Sequence, residues 1–341
     1  MTRVSVVVVT WNGLDLTLRC LDSLRGQGDA DLEVELVVVD NGSTDGTVEA
    51  LADVPDVRVV ALATNTGFAG GVDAGIRATT GDAVVLVNND AVARPGFVRA
   101  LVAPLLDEGS EPRVGATTGR VLLSGRFVPA SGGGPALVAA DGRRWRRTDD
   151  DAAGVVLLNS TGNEVTVSAN GRDRHWLAPA DTVAALDVFG FNGGCAALSR
   201  AALDDVGLLE ESLFMYYEDT ELSWRLRRAG WAVQHVPDAV TVHDHAASSG
   251  TSSAFFLDHN ERNRLLVALA HAPWGVVARA FARSLARAVL GPDRARRARV
   301  LVAVARRAPW ALRRRAEVDR RARVPRPAVA SFLVPDGAPR P

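Results

Sequence analysis

The sequence predicts an α/β protein with a mostly parallel sheet and helices on both faces. Short runs of β-branched and other apolar residues recur along the first 90 positions, and a helical pattern follows most of them. Such alternation is typical of βαβ units. In addition, polar residues directly follow three of the predicted strands. Ligands of such sheets bind beyond the carboxyl ends of strands, so we expect the ligand site there.

Each early element has its own supporting pattern. Val4 to Val9 is a nearly continuous β-branched run, as expected for a strand buried on both faces of a parallel sheet. The next segment predicts a helix, because leucines recur on one helical face at 14, 18, 21 and 24. The alternation continues with a strand at 36–40, a helix near 47–51, a strand near 57–61, a helix near 71–78 and a strand at 83–87.

The regular alternation weakens between Arg120 and Asp187, where short strand patterns surround a run of three glycines. This segment predicts a smaller, variable β-rich layer. Periodicity then returns and predicts helices at 201–206 and 220–229, a strand at 232–236, and helices after Pro273 with breaks at Gly291-Pro292 and Pro309.

Composition is that of a globular protein, with 47% hydrophobic and 23% charged residues. Cys20 and Cys195 are the two cysteines and form no CxxC pair, which favours a reducing compartment such as the cytoplasm. The apolar run at 4–9 is too short for a signal peptide. No apolar stretch approaches the about 18 residues of a membrane span.

Charge is unevenly distributed along the chain. The net charge is -1, yet residues 276–326 contain 16 arginines against three acids. Arg279, Arg283 and Arg287 recur every four residues beside apolar positions, which predicts an amphipathic helix with a cationic face. We expect this segment to dock on an anionic membrane surface. The alternative is a helix pair packed on the rest of the protein. No nucleic-acid-binding signature accompanies the charge.

Two motifs suggest nucleotide binding. Asp40 ends a buried strand and precedes NGSTDGT, so its carboxylate is placed to accept a hydrogen bond from the imide N–H of a pyrimidine. The alternative is a plain turn in which Asp45 caps the next helix. The glycine-rich segment NTGFAGGVDAG at 65–75 opens a helix and could cradle phosphate. Its spacing fits neither the dinucleotide-binding nor the P-loop pattern.

Two further motifs suggest a metal site. VLVNNDA places Asp90 beyond another buried strand with Asn88 nearby, and these oxygen ligands suit a hard divalent cation. An ordinary turn is the alternative. HDHAASSG contains His243 and His245, which face the same side in an extended segment, so one of them could join Asp90.

The stretch ESLFMYYEDTELSWRLRRAGW at 211–231 sets Glu218, Asp219 and Glu221 directly after aromatic residues, where ionised groups are costly to desolvate. Helix capping is the simple explanation, because acids suit the amino end of a helix. Glu221 and Arg225 have i,i+4 spacing, and we expect them to pair on the helix surface.

Taken together, these motifs resemble those of the family 2 glycosyltransferases of the GT-A fold, especially their rhamnosyltransferase-like branch. The resemblance covers residues 3–275. It rests on the order of VSVVVVTWNGLDLTLRCLDSL, VVVDNGSTDGT, NTGFAGG, VLVNND, FNGGCAALSRAALDDVGLLEE, MYYEDTELSWRLRRAGW and HDHAASSG.

The resemblance implies roles for named residues. Nucleoside and sugar-nucleotide contacts would come from Thr10, Asn12, Asp40, Asn65, Gly67, Asn88 and Asn89. Asp90 matches the last position of the family's Asp-x-Asp signature, where the carboxylate binds Mg²⁺ or Mn²⁺ on the diphosphate. Asn88 replaces the first acid, which leaves fewer charged ligands. His243 matches the family's metal-associated histidine better than His245 does, because a hydrophobic strand leads directly into it.

The resemblance also implies that the Glu218-Asp219 pair includes the general base, and Asp219 is our choice for it. The base takes the proton of the acceptor hydroxyl as that oxygen attacks the anomeric carbon opposite the diphosphate, which inverts the configuration. Glu218 would share this role or hold the acceptor. The expected donor is a nucleoside diphosphate sugar, first dTDP-rhamnose, and the expected acceptor a lipid-linked, for example polyprenyl-linked, or growing cell-envelope saccharide.

Two other functions remain open from the residues. A sugar nucleotidyltransferase would share a similar sheet, but 4–13 lacks its glycine-rich basic signature. A non-catalytic saccharide-binding subunit would not need the acids at 40, 90 and 219. We therefore expect a GT-A domain at 1–275, divided at 119/120 into nucleotide and acceptor sides with the variable layer at 120–187. A basic helical extension at 276–325 and a flexible tail at 326–341 would follow. The expected location of the protein is cytoplasmic, at the inner face of the plasma membrane.

Overall fold

The computed structural model describes residues 1–107, 109, 111–139, 141–150, 152–244 and 253–336. Its strands are β1 (Thr2–Thr10), β2 (Leu32–Asp40), β3 (Val57–Ala61), β4 (Ala83–Asn88), β5 (Ala91–Ala93), β6 (Val114–Leu123), β7 (Arg126–Pro129), β8 (Leu137–Val138), β9 (Arg144–Thr148), β10 (Leu158–Ser160), β11 (Asn163–Val165), β12 (Gly171–Asp173), β13 (Cys195–Ser199) and β14 (Ala232–His243). Its helices are α1 (Leu14–Leu24), α2 (Thr47–Ala52), α3 (Gly67–Arg77), α4 (Phe97–Leu106), α5 (Arg200–Val206), α6 (Glu218–Arg228), α7 (Ala254–His271), α8 (Trp274–Leu290), α9 (Arg294–Arg321) and α10 (Arg326–Val329).

A nine-stranded sheet forms the centre, in the order β3-β2-β1-β4-β13-β6-β14-β5, with β10 paired to β6. Neighbours are parallel from β3 to β4 and between β6 and β14, whereas β13, β5 and β10 run against their neighbours. The predicted mostly parallel sheet is therefore confirmed. The register aligns Thr10 with Asp40 and Val9 with Asn88, so β1, β2 and β4 end at one edge, toward which β14 also runs.

Helices cover both faces of this sheet. On one face, Val6 packs in a core with Leu21 of α1 and Phe97 of α4. On the other, Val7 packs in a core with Ile76 of α3 and Leu222 of α6. The alternation of neighbouring valines between two cores explains why the β1 sequence is apolar at nearly every position. The acidic run at the start of α6 is thereby placed beside the sheet.

The glycine-rich helix α3 starts at Gly67, earlier than the predicted start at 71. Glycine is a poor helix former, so propensity hid the first turn. The glycines allow close packing instead: a Cβ at Gly75 would lie 2.4 Å from Val7 Cγ1, and one at Gly71 would lie 2.7 Å from Val9 Cγ1. The residues that weaken the helical pattern therefore bring α3 against β1.

The predicted variable layer contains the antiparallel sheet β7-β9-β8 and the hairpin β11-β12. Part of the predicted segment belongs elsewhere, because β6 runs through the central sheet to Leu123. In the hairpin, Asn163 is paired with Asp173. The hairpin thus brings polar side chains from the variable layer toward the start of α6.

The basic C-terminal helices pack against the domain that precedes them. Side chains of α7, α8 and α9 form one buried core with Trp224 of α6. Helix α9 continues through Pro309, so the predicted break there is wrong. Packing of α9 on neighbouring helices compensates for the missing N–H of proline. Of the helices that the structure describes, none is long and apolar enough to cross a membrane.

The segment after the helices is ordered as far as it is described. Val329 of α10 is buried, and Val334 forms backbone hydrogen bonds with Val165 and Val167 at the β11-β12 hairpin. The proline-rich sequence predicts a flexible tail over 326–341, whereas 326–336 form short helical turns and pack on the β11-β12 hairpin. Residues 337–341 lie outside the described part of the chain.

The expected Glu221–Arg225 pair forms, with 2.7 Å between Oε2 and NH2, but its predicted surface location is wrong. Glu221 is fully buried because His271 of α7 and Arg314 of α9 also reach its carboxylate, at 3.0 and 3.1 Å. Burial alone would raise the pKa of Glu221, but these three groups hold it well below its usual value. Only the tertiary structure places α7 and α9 over this face of α6.

Candidate active site

The acidic run lies at the amino end of α6, on a sharply turned backbone. Phe214, Tyr216 and Tyr217 have φ of 69°, 70° and 73°, in the left-handed region that bulky side chains rarely adopt. Tyr217 is the N-cap, and the helix begins at Glu218. Glu218 is buried, whereas Asp219 is partly exposed. The turn therefore holds one acid in the interior and leaves the next one accessible.

Hydrogen bonds from three elements hold Asp219. Its Oδ1 accepts the Thr220 N–H at 2.5 Å and the Asn163 amide at 3.3 Å. Its Oδ2 accepts the Gly193 N–H at 3.3 Å. Asp219 thus takes a first-turn N–H, as a capping acid does, although the N-cap itself is Tyr217. The bonds orient the carboxylate and favour its charged form.

The two neighbouring acids differ in environment. Burial and the nearby charge of Asp219 raise the pKa of Glu218 to about 8. Burial also raises the pKa of Asp219, against the lowering effect of hydrogen bonds from Thr220, Gly193 and Asn163. Within the described chain Glu218 Oε2 is buried without a hydrogen-bond partner. At neutral pH the arrangement therefore favours a proton on Glu218 and the charge on Asp219.

The loop at 192–194 connects Asp219 to the end of β4. Gly193 donates to Asp219, and the Gly194 carbonyl accepts the Asn88 N–H at 3.1 Å. A Cβ at Gly194 would lie 2.7 Å from Asn88 Nδ2, so the loop passes too close to Asn88 for a side chain. Asp90 follows Asn88 by two residues. Acids that are distant in sequence are thereby brought to the same edge of the sheet.

Asp90 and His243 meet beyond the ends of β4 and β14. Asp90 is buried, and its Oδ1 lies 2.9 Å from His243 Nε2. His243 Nδ1 lies 2.8 Å from Asn159 Oδ1. These two contacts hold the imidazole ring between Asn159 and Asp90. His245 and the rest of the motif to Gly250 lie outside the described residues.

Within the described chain, no group of three or more His, Cys, Asp and Glu side chains is arranged to hold a metal. The Asp90–His243 pair therefore stands as a two-ligand set of one carboxylate and one imidazole. Such ligands suit Mn²⁺ and, for the carboxylate, Mg²⁺. A hydrogen bond from His243 Nδ1 to Asn159 Oδ1 is the kind of contact that orients a ligating imidazole in proteins.

A second wall forms at the ends of β1 and β2. Thr10 and Asp40 are buried. Asp40 Oδ2 accepts the Ser43 N–H at 2.9 Å, while its Oδ1 has no hydrogen-bond partner in the described chain. Asn12 ties the two loops together, donating its N–H to Ser43 Oγ and accepting the Thr44 N–H. The wall thus retains one acceptor oxygen suited to an N–H donor.

The glycine-rich loop lies against the turn that precedes α6. Asn65 Oδ1 accepts the Gly67 N–H at 2.8 Å. Asn41, which sequence reasoning missed, accepts the Thr66 N–H and donates to the Gly67 carbonyl, both at 2.9 Å. Gly67 has a φ of 76°, and a Cβ there would lie 2.1 Å from the Phe214 carbonyl oxygen. The glycine-rich loop and the turn that precedes α6 are therefore in direct backbone contact.

Asn89 and polar residues of the variable layer have different partners. Asn89 donates to the hydroxyls of Thr10 and Thr17, which fastens the β4 end to α1. In the variable layer Asn163 contacts Asp219, whereas Arg174 donates to the Ala185 carbonyl and Trp176 to that of Val138. Arg174 and Trp176 thus form hydrogen bonds within the variable layer.

Asp173 is a further carboxylate at this site that sequence reasoning missed. It ends β12, and its Oδ1 accepts the Asn192 amide at 2.7 Å. Asn192 belongs to the recognised motif FNGGC, so the motif could have pointed to it. Asp173 and Asn159 lie within short strands of the segment predicted as the variable layer. Their contribution depends on chain folding rather than on a local signal.

Comparisons with known proteins agree with this geometry. Residues 5–132 match the model of the Glycosyl transferase family 2. The chain is 30% identical over 264 residues to an N-acetylglucosaminyl-diphospho-decaprenol L-rhamnosyltransferase of Mycobacterium tuberculosis, covering 71% of this chain and 76% of the relative. It is 27% identical over 255 residues to an N-acetylglucosaminyltransferase of Bradyrhizobium diazoefficiens, covering 70% and 44%.

The fold is also that of known glycosyltransferases. The chain resembles GalNAc-T7, solved with UDP, GalNAc and Mn²⁺, with a TM-score of 0.56 and 16% identity over 79% of this chain and 48% of that one. This likeness confirms the predicted GT-A fold. Together with the length of the rhamnosyltransferase match, it shows that this chain is a glycosyltransferase that belongs to family 2 and resembles its rhamnosyltransferase branch.

Proposed function

We propose that this glycosyltransferase moves a sugar from a nucleoside diphosphate to a lipid-linked or growing cell-envelope saccharide, with inversion. The link from Asp219 through Gly193 and Gly194 to Asn88 carries the proposal. It supports a single cleft with a base on one side and a diphosphate-binding edge on the other. In this proposal residues 1–119 bind the nucleotide and 120–275 the acceptor.

Asp219 serves as the general base. Its carboxylate accepts the proton of the acceptor hydroxyl while the acceptor oxygen bonds to the anomeric carbon. The bond from that carbon to the diphosphate oxygen breaks on the opposite face, and its electron pair leaves with the diphosphate. Hydrogen bonds from Thr220, Gly193 and Asn163 hold the base in place for this attack. Glu218 keeps its proton and supports the turn from the interior.

Asp90 and His243 would hold Mg²⁺ or Mn²⁺ on the donor diphosphate. Their separation of 2.9 Å and the support of His243 by Asn159 fit a compact ligand pair. When bound, the cation supplies positive charge that offsets the charge of the leaving diphosphate.

The nucleoside would lie against Thr10, Asn12 and Asp40. The buried Oδ1 of Asp40 would accept the imide N–H of a uracil or thymine base. Asn65 and Gly67 would lie along the sugar nucleotide, with Asn88 beside the diphosphate. Asn89 would support this wall through Thr10.

The first donor to test is dTDP-rhamnose, because the Mycobacterium tuberculosis relative carries the name of an L-rhamnosyltransferase. The name of that relative also supports a sugar acceptor linked through diphosphate to a polyprenol. Family membership argues against the nucleotidyltransferase alternative and against a purely saccharide-binding subunit.

A membrane surface is the proposed partner of the C-terminal helices. Eight arginines of α8 and α9 are exposed, at 279, 287, 294, 299, 306, 313, 320 and 321. Large apolar side chains are exposed on the same helices, including Leu285 (58%), Leu290 (79%) and Val302 (50%). This combination favours binding to anionic lipid. It supports a cytoplasmic, peripheral location at the inner face of the plasma membrane, where a lipid-linked acceptor is accessible.

The test is nucleotide release by the purified protein over a panel of dTDP, UDP and GDP sugars. We expect release from one donor class with Mg²⁺ or Mn²⁺ and a lipid-linked acceptor, and loss of release with chelator. Asp90→Asn should weaken metal activation, which a titration of the cation measures. Release from no donor, even with a membrane lipid extract, would contradict the proposal. Release unaffected by chelator would contradict its metal step.

A further inference from the structure

The transferred sugar has a restricted location in this cleft. In-line displacement requires the base and the leaving diphosphate on opposite sides of the anomeric carbon. If Asp219 is the base and Asp90 with His243 holds the diphosphate, the sugar ring lies between these two groups. A side chain close to both is therefore placed beside the ring.

Asp173 has such a position. Its strand partner Asn163 donates to Asp219 Oδ1, and its hydrogen-bond partner Asn192 precedes Gly193, which donates to Asp219 Oδ2. Asp173 is thus joined to the base through two separate chain segments. It is itself partly exposed.

The loop beside Asp173 also reaches the other side of the cleft. Asn192, which donates to Asp173, is two residues before Gly194, whose carbonyl accepts the Asn88 N–H at 3.1 Å. Burial raises the pKa of Asp173 to about 6, and the Asp219 charge acts in the same direction. The geometry of the hairpin and the loop agrees with this intermediate position.

A purely structural role does not explain the acid. Contact with the Asn192 amide needs only an acceptor oxygen, which asparagine would supply without charge. A carboxylate instead adds desolvation and repulsion from Asp219. This additional free-energy cost points to a ligand that binds more tightly to a charged hydrogen-bond acceptor.

We propose that Asp173 determines donor specificity by accepting hydrogen bonds from hydroxyl groups of the transferred sugar, an inference that rests on the proposed function. Hydrogen bonds to a carboxylate are stronger than neutral ones. A site built to bind a hydroxyl group also rejects analogues that lack it. Asp173 would thus read the sugar, while Asp40 reads the base.

The test compares binding of the donor that the wild-type protein uses with binding of its parent nucleoside diphosphate, both by calorimetry with the same cation. Asp173→Ala should weaken sugar-nucleotide binding about 10- to 100-fold and leave nucleoside diphosphate binding unchanged. Asp173→Asn should lose less affinity for the sugar nucleotide, because the asparagine amide oxygen still accepts a hydrogen bond. A deoxy donor that lacks the contacted hydroxyl should bind the wild type and Asp173→Ala equally.

Asp181→Asn is the matched control, because Asp181 is an exposed acid of the same layer. The specificity role would be overturned if Asp173→Ala lost affinity equally for the sugar nucleotide and the nucleoside diphosphate. Loss of affinity for the acceptor alone would also overturn it. Unchanged binding of all ligands would overturn it too. A wild-type protein that binds no sugar nucleotide would contradict the proposed function together with this inference, so the two failures are distinguishable.

Discussion

At the scale of single residues, the difference in protonation between Glu218 and Asp219 follows from their surroundings. Glu218 is buried and lacks a partner for Oε2 in the described chain, whereas Asp219 accepts several N–H groups. Desolvation favours the neutral form of an acid, and hydrogen-bond donors favour the charged form. The two acids are adjacent in sequence, yet their surroundings favour a neutral Glu218 and a charged Asp219.

Replacement of these acids should separate the roles. We expect Asp219→Asn to lower turnover at least about 100-fold while nucleotide binding persists, because the base is lost. Glu218→Gln should retain turnover within about tenfold, because glutamine mimics the neutral acid. Steady-state kinetics and nucleotide titration measure both effects. If Glu218→Gln is as impaired as Asp219→Asn, the assignment of the base is wrong.

Stability should depend on pH through the same pair. The pKa of Glu218 is raised from 4.5 to about 8, so between these values the folded state keeps a proton that the unfolded chain has released. Its contribution is therefore fully present below pH 4.5 and is lost as pH rises toward 8. Glu218→Gln should lose less stability than the wild type between pH 5 and pH 9, measured as Tm. Parallel Tm curves would contradict the raised pKa.

Gly67 is a residue at which two constraints coincide. Gly67→Ala should cost roughly 1–2 kcal/mol for the left-handed backbone and roughly 1–3 kcal/mol more for overlap with the Phe214 carbonyl. Gly46→Ala is the matched control, because Gly46 has a φ of 83° but no neighbour within 4 Å of an added Cβ. Urea unfolding of both variants measures the difference. Equal losses would mean that the loop moves away from Phe214.

At the scale of elements, α6 is fixed at both ends and along its length. Its first turn carries Asp219, the proposed base, its Trp224 lies in the core with α7, and its Glu221 is bonded to α7 and α9. The C-terminal helices thus support the helix that carries Asp219. Sequence separation concealed this, because Arg314 lies 93 residues from Glu221.

Loss of Arg314 should therefore affect the whole domain. Arg314→Met leaves the buried Glu221 carboxylate with Arg225 as its one arginine partner and with His271, and we expect a loss of roughly 2–3 kcal/mol, since removing one partner of a buried pair is strongly destabilising. Arg321→Met, at an exposed position of the same helix, should have little effect. Urea unfolding compares the two variants. Equal stability would show that Arg314 does not support α6.

At the scale of the whole molecule, two sets of C-terminal arginines face in opposite directions. Arg314, Arg315 and Arg326 point inward and bond to Glu221 or to backbone carbonyls at the end of α7. The eight exposed arginines defined above point outward. Membrane docking and packing on the domain were alternatives in the sequence analysis, but the two sets are compatible with both at once.

Charge reversal at Arg299, Arg306 and Arg313 should test the outward set. Each basic residue near an anionic surface contributes about 1 kcal/mol, so we expect binding to phosphatidylglycerol vesicles to fall roughly 100-fold or more. High salt should weaken wild-type binding in the same way. Vesicle sedimentation measures both. A control triple reversal at the exposed Arg19, Arg94 and Arg146 should weaken vesicle binding less. Equal losses of binding would exclude a specific docking face on the C-terminal helices.

Much of the fold was predictable because its signals are local. The valines of β1, the leucines of α1 and the acids after β2 and β4 follow from periodicities of neighbouring residues. Asp173, Asn159 and the burial of Glu221 were not predictable, because each depends on contacts between distant segments. The Pro309 prediction failed for the same reason, since packing outweighed a local preference.

The sequence by itself determined the order of strands and helices, the family, and the polar residues that end β1, β2 and β4. These properties are encoded by residues within one or two turns of each other. Only the tertiary structure decided that Asp219 faces the edge that holds Asn88, that Asp173 joins it, and which arginines are turned inward. The physical reason is that burial and charge pairing depend on which surfaces meet, and this is fixed when the whole chain packs.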